Sequence, residues 1–302
     1  MWHGCQMQGR MLAPELLAPF REMVFSAATA ATLRSHLSSD GYLFLRGVLN
    51  ADDVSAARRE VFGRLSEVGE IQSPVGDGIY TGESQRHDRC ADLGDFWQSV
   101  SEGPALRRVS HGDRMREVMS TILDEPAHPH DYLFLRPAIP GRSTHLHYDH
   151  PFFARGSDRI YTAWTPLGDI SLEDGPLVAV EGSSQFEDLI TKAQDVDYKS
   201  NDTPLVQLME DPTLLAQQRN TRLLTAEFRA GDLIIFSMKL LHGSLDNRSE
   251  LGRTRLSCDV RWQPLADPID PRYCGPDPAG TTGAGYGELN GAKPLNEPWH
   301  QR

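Results

Sequence analysis

The sequence predicts a mainly β fold with flanking helices, a β-sandwich or jelly roll. Three observations predict it. Short apolar runs rich in strand formers succeed one another between residues 132 and 262, Gly and Pro turns separate them, and helical patterns precede them. At 302 residues and 39% hydrophobic content the chain can bury one large core, so one principal domain is expected.

Taken in order, residues 1–26 read as an N-terminal extension. A helix is expected over residues 28–37, stopped near Asp40-Gly41, followed by a strand over 42–46. The next helix is clearer. Asn50 can cap it, Asp52 and Asp53 favour its positive end, and Val54, Ala57, Val61, Leu65 and Val68 recur along one face. Residues 71–109 carry mixed, turn-rich signals. A further helix starts at Asp113 and ends near Asp124-Glu125-Pro126. Strands are expected over residues 132–136, 143–149, 160–166, 177–180, 223–228, 233–236 and 254–262. The polar segment 187–220 interrupts them and reads as an insertion over one end of the barrel. Residues 264–302 form a Pro/Gly-rich tail, an extended wrap or a flexible end, which leaves residues 27–263 as the domain proper.

A formal net charge of -12 repels phosphate backbones and anionic membranes, so neither nucleic acid nor a membrane surface is an expected partner. A small-molecule substrate is. Cys5, Cys90, Cys258 and Cys274 stand far apart, without a CxxC pair, and read as reduced thiols of a cytoplasmic protein. No apolar run approaches the roughly 20 residues of a membrane helix.

The densest group of potential metal ligands is Thr144-His145-Leu146-His147-Tyr148-Asp149-His150. On a strand, alternation sends His145, His147 and Asp149 to one face. With His242 from a distant strand edge, His147 and Asp149 would complete a set of two imidazoles and one carboxylate, which leaves open positions suited to iron(II) oxygenases. The strand opened by Arg253 is the second feature. Arg253, Arg255, Ser257, Asp259 and Arg261 share one face, and Leu256, Cys258, Val260 and Trp262 the other. Turned into a barrel, the polar face would offer a guanidinium to grip a carboxylate in a two-pronged pair, and parity leaves Arg253 and Arg255 as alternatives.

His147-Tyr148-Asp149, the turn Glu173-Asp174-Gly175-Pro176-Leu177 leading to Val180-Glu181-Gly182-Ser183-Ser184, and His242-Gly243-Ser244 followed by Asn247 and Arg253 stand in a telling order. In this, and in Gly41-Tyr42-Leu43-Phe44-Leu45-Arg46-Gly47 near the start, the chain resembles the phytanoyl-CoA dioxygenase family over about residues 40–262. The resemblance implies a double-stranded β-helix, the cupin-like barrel form of the jelly roll. It implies iron(II) on His147, Asp149 and His242, with 2-oxoglutarate and dioxygen as co-substrates. It favours Arg253 over Arg255 for the distal carboxylate of 2-oxoglutarate, with Trp164 and Ser257 as further cofactor-side contacts. Arg136 and His145 would face the co-substrate or substrate, and the segment around Tyr80 would help form the substrate pocket. Related halogenases lack the carboxylate ligand, so Asp149 points to hydroxylation or another oxidation instead, with release of succinate and CO2.

Two alternatives belong to other classes. A cupin-type metalloenzyme would use His145, His147 and His242 without 2-oxoglutarate, but it expects a Glu shortly after its His pair, where Pro151, Phe152 and Phe153 stand. A catalytically inactive jelly-roll binding protein would keep the fold and lose the chemistry. A hydrolase finds little support, since no Gly-x-Ser-x-Gly elbow is present.

Overall fold

Alternation within mostly buried strands organises the molecule, which is described by a computed structural model over residues 2–198 and 211–299. Four short strands come first: β1 (Gln6–Met7), β2 (Arg10–Met11), β3 (Leu17–Pro19) and β4 (Glu22–Met23). Helix α1 (Ala30–Asp40), β5 (Tyr42–Leu45) and α2 (Ala51–Glu67) follow close to their expected bounds. The turn-rich stretch after them holds α3 (Arg86–Arg89), α4 (Leu93–Ser101) and α5 (Pro104–His111), which the sequence pattern did not reveal. Then come α6 (Asp113–Leu123), β6 (Ala127–Pro129), β7 (Phe134–Ala138), β8 (Tyr161–Pro166) and β9 (Leu177–Val180). The expected insertion contains α7 (Glu187–Gln194) and α8 (Pro212–Arg219); residues 199–210 of it lie outside the described residues. The chain closes with β10 (Leu223–Thr225), β11 (Leu233–Ser237), β12 (His242–Ser244) and β13 (Arg255–Pro264).

Two sheets face each other. The larger runs β4-β5-β11-β8-β13-β6, with β7 also on β13; the smaller runs β12-β9-β10-β3. Between them Phe44, Trp164, Ala179, Leu224, Ile234 and Phe236 form the inner core. Leu43, Leu45, Leu233 and Ile235 point the other way, into the helical layer, and Val178, Val180 and Leu223 point outward into a third cluster with α7 and α8. Both faces of each sheet are covered, which is why these strands read as continuous apolar runs. The fold is thus mostly β with flanking helices, a jelly roll. Residues of the expected N-terminal extension take part in it: β3 pairs parallel with β10, and β4 with β5.

Helix α2 forms as its sequence demands. Asn50 Oδ1 accepts from the backbone N–H of Asp52 and Asp53, and Val54, Ala57, Val61 and Leu65 are buried against the larger sheet. Residues 143–149 depart from expectation. They form no regular strand, only an isolated bridge between His147 and His242.

Near α5 and β6, His130 is buried and His111 is half-buried. His111 accepts from or donates to Ser110 Oγ at 2.8 Å and lies 3.0 Å from the His130 carbonyl, and His130 Nε2 lies 3.0 Å from Gln263 Oε1. Burial, with Arg107 beside His111, pushes the His111 pKa down to about 3, and burial pushes that of His130 down to about 4. Both therefore stay neutral in the folded state where the unfolded chain already takes up protons. Their contribution to stability is complete above pH about 6.5. Below that the unfolded state binds more protons, and stability falls by up to about 1.4 kcal/mol per pH unit per histidine until the folded pKa is reached. Urea unfolding between pH 7 and 4.5 checks this, with His130→Gln expected to flatten the dependence.

Candidate metal and co-substrate site

The two histidine ligands meet through the backbone. His147 N–H donates to the His242 carbonyl at 2.9 Å and His242 N–H to that of His147 at 3.1 Å. Glycine at 243 permits the approach, since a Cβ there would stand 2.6 Å from the Thr144 carbonyl oxygen. Although residues 143–149 are not a ladder strand, side-chain alternation survives: Leu146 and Tyr148 go to the outer cluster, while His147 and Asp149 turn inward.

Each imidazole is set by one hydrogen bond. His147 Nδ1 donates to the His145 carbonyl at 2.8 Å and His242 Nδ1 to the Leu240 carbonyl at 3.0 Å, which leaves both Nε2 atoms as acceptors. Asp149 is fixed in the same manner. Its Oδ2 accepts from Thr162 Oγ1 at 2.7 Å and from Arg261 Nη2 at 2.8 Å, so Oδ1 faces His147 Nε2 at 3.6 Å and His242 Nε2 at 4.0 Å. The three ligand atoms lie within 4.8 Å of one another, close enough for one metal ion. Burial raises the Asp149 carboxyl pKa, but Arg261 and the two histidines outweigh it and hold the group well below the usual carboxylate range. Burial beside His147 pushes the His242 pKa down to about 3. An ionised carboxylate beside two imidazoles is a donor set that suits a divalent cation. The set is His147, Asp149 and His242, with no part for His145 as the cupin alternative requires.

Arg261 is the residue the sequence reading passed over. Its guanidinium lies against the rings of both Phe134 and Phe153, 4.4 and 4.3 Å from their centroids, and joins Asp149 to Asp259, whose other contacts are to Arg136. The chain Asp149-Arg261-Asp259-Arg136 alternates in charge, so each buried ion has an opposite neighbour. Arg261 and Asp259 were legible as members of the inward polar face, but their partners were not. Thr162→Val removes one of the two donors on Asp149 Oδ2 and is expected to cost about 1 kcal/mol in urea unfolding, with weaker metal binding in calorimetry.

The polar face of β13 does turn inward, but its arginines differ from the expectation. Arg253 precedes the regular ladder, bridges Ile79, leaves its side chain 49% exposed and reaches only Asp174, at 4.0 Å. Arg255 opens the ladder opposite Ala138 and is buried. It lines a narrow cavity, about 320 Å³ including its mouth, together with His147, Trp164, His242 and Ser244. The structure therefore places Arg255, not Arg253, at the metal cluster. Arg255 Nη1 donates to Ser257 Oγ at 2.7 Å, its Nε has no partner, and no carboxylate lies within ion-pair distance of it among the described residues. Burial, with Arg136 nearby, pushes its pKa down to about 10.

Trp164 lines the same cavity with its ring 4.9 Å from Phe228. Arg136 and His145 both line a second, larger cavity of about 810 Å³ including its mouth, which opens on His147 and Asp149. Tyr80 borders neither cavity; it pairs with Ile71, and its ring packs on the helical layer. Phe152, Leu289 and Trp299 line the larger cavity without having been singled out in the sequence. Among the described residues, no helix is long and apolar enough to cross a membrane.

Three solved structures share the fold at low identity. The non-heme α-ketoglutarate-dependent epimerase SnoN from nogalamycin biosynthesis is 18% identical, with 79% of this chain and 84% of that chain covered and a TM-score of 0.52. The non-heme α-ketoglutarate-dependent carbocyclase SnoK from the same biosynthesis is 18% identical, covering 82% and 88%, with a TM-score of 0.53. EctD from S. alaskensis, solved with 2-oxoglutarate and 5-hydroxyectoine, is 18% identical, covering 88% and 86%, with a TM-score of 0.54. No curated protein sequence matches the chain. The sequence profile of phytanoyl-CoA dioxygenase matches residues 37–255, which include the whole metal cluster and Arg255. The chain belongs to the phytanoyl-CoA dioxygenase family, and with it to the iron(II)- and 2-oxoglutarate-dependent oxygenases, whose metal the His147, Asp149 and His242 donors fit.

Proposed function

We propose that the protein is an iron(II)- and 2-oxoglutarate-dependent dioxygenase that hydroxylates an unactivated carbon of a small molecule, with release of succinate and CO2. One observation carries the reading: Arg255, a buried cation with no carboxylate at ion-pair distance among the described residues, lines the same cavity as His147 and His242. A buried guanidinium in this state is matched by an anionic ligand, and the fork of Arg255 suits the distal carboxylate of 2-oxoglutarate. Ser257 holds one arm of the fork in place.

Bound iron supplies dioxygen activation coupled to oxidative decarboxylation of 2-oxoglutarate. The chain's own residues do the rest. His147, Asp149 and His242 would hold the metal, a two-imidazole, one-carboxylate set that would leave coordination positions for co-substrate and dioxygen. Thr162 and Arg261 keep Asp149 ionised and in one orientation. Trp164 closes the co-substrate cavity with an apolar wall. Phe134, Phe152 and Phe153, on the larger cavity, exclude water from the place where a substrate C–H bond would be presented. The four cysteines are all free, which suits a cytoplasmic location.

The test is a screen of metabolite extracts with the iron-loaded protein, scored by substrate-stimulated succinate release under isotopically heavy dioxygen. Hydroxylation predicts a product that carries one heavy oxygen. Succinate release with a rearranged or desaturated product would keep the co-substrate reading and overturn hydroxylation.

A further inference from the structure

The tail beyond β13 is a wall of the larger cavity. Thr281, Glu288, Leu289, Asn290, Gly291 and Trp299 all line it. Buried charge holds this strap down. Arg86 and Glu70 are both fully buried and paired at 2.7 Å; Arg86 Nη1 donates to the carbonyls of Gly291, Ala292 and Lys293, and Glu70 Oε1 accepts from Leu295 N–H at 2.8 Å. Glu288 accepts from Tyr132 Oη and from the backbone N–H of Thr281 and Thr282. Arg142 donates to the Leu295 and Glu297 carbonyls and lies 5.0 Å from the centre of the Trp299 ring. Gly291 sits so close that a Cβ there would stand 2.1 Å from Trp97 Cζ2.

A buried ion pair is a weak stabiliser but a strong means of setting one geometry, and here it sets the backbone of a cavity wall rather than a core element. The cavity's chemistry follows from what the strap faces. Arg136 and Arg261 are each paired with carboxylates, which offsets the positive charge they present to the cavity. Phe134, Phe152, Phe153 and Trp299 supply ring faces and edges, Leu135 and Leu289 aliphatic surface.

We propose that residues 281–299 are the substrate-selecting wall of this enzyme, positioned by the Glu70–Arg86 pair, and that the wall admits an uncharged, ring-bearing, mainly apolar substrate. The proposal rests on the reading of His147, Asp149 and His242 as the reacting centre. Trp299 and Leu289 touch the substrate; Arg86 acts through the strap and is a positioning residue.

The test titrates manganese(II)- and 2-oxoglutarate-loaded protein with N-phenyl-1-naphthylamine, a neutral two-ring fluorophore, followed by its emission. Wild type and the remote surface variant Val24→Ala are expected to bind it saturably. Trp299→Ala and Arg86→Met are expected to weaken it roughly fivefold or more, the scale of lost aromatic contacts, and to weaken it further than they weaken 2-oxoglutarate measured by calorimetry on the same samples. 2-Naphthol should displace the probe and 2-naphthyl phosphate should not. Absence of saturable binding to wild type, unchanged affinity in Trp299→Ala, or displacement by the phosphate as readily as by the naphthol overturns the proposal. Should Arg86→Met not fold, Trp299→Ala decides alone. Failure of 2-oxoglutarate to bind wild type would instead refute the co-substrate reading, and the probe would still report on the strap.

Discussion

Replacing Arg255 by Met raises the dissociation constant for 2-oxoglutarate by roughly 30-fold to 4,000-fold, while Arg253→Ala leaves it within about twofold. The range is the cost of about 2–5 kcal/mol when one partner of a buried, hydrogen-bonded charge pair is truncated. Arg253 is spared because its side chain is half exposed and faces Asp174 rather than the cavity. The same substitution separates a binding role from a structural one by sign. In the protein without 2-oxoglutarate, Arg255 is a buried cation whose side chain, among the described residues, hydrogen-bonds to Ser257 alone. Methionine there removes the desolvation cost, so thermal stability of the ligand-free protein holds or rises even as affinity collapses. Calorimetry of 2-oxoglutarate on iron-loaded protein, with a thermal scan of the ligand-free form, reads both effects. Equal losses at positions 253 and 255, or a large fall in stability with Arg255→Met, would show that the carboxylate grip is elsewhere.

Arg261→Met is expected to destabilise the metal-free protein by about 3–5 kcal/mol, because it strands Asp149 and exposes Asp259 to one fewer cation in the buried interior. Both carboxylates are buried, and Arg261 donates to each at 2.8 Å. A double-mutant cycle isolates the cause. If the cost is the uncompensated charge of Asp149, then Arg261→Met combined with Asp149→Leu regains part of the loss, and the two changes are strongly non-additive. Urea unfolding of the metal-free proteins measures it; an additive cycle, or a loss under about 1 kcal/mol, would mean that the aromatic packing around Arg261 matters more than its charge.

What was legible in the sequence follows from local physics. Helix α2 announced itself through Asn50 and one apolar stripe, and β9 through a short apolar run between turns, because capping and periodicity are properties of neighbouring residues. The inward turn of the β13 polar face was legible for the same reason: Leu256, Cys258, Val260 and Trp262 had to go to the helical layer. The choice between Arg253 and Arg255 was not, since both have the same parity and only the start of the ladder at Arg255 separates them. Residues 143–149 show the converse. They read as a strand and alternate like one, yet their hydrogen bonds go to His242, Ser244 and Gln8 in a broken pattern that no local rule reveals. Tyr80 was expected near the substrate pocket, but its neighbours are Ile71 and the helical layer. The strap was hardest of all, because Pro/Gly-rich composition signals irregular structure and is silent on the buried Arg86 and Glu70 that hold it.

The most direct test of the central claim is a titration of 2-oxoglutarate, without oxygen, into wild type with iron(II), wild type without metal, and Asp149→Ala with iron(II). One-to-one binding that requires both the iron and Asp149 is the predicted result. Equal binding in all three, or none to the iron-loaded wild type, would contradict a site in which His147, Asp149, His242 and Arg255 act together.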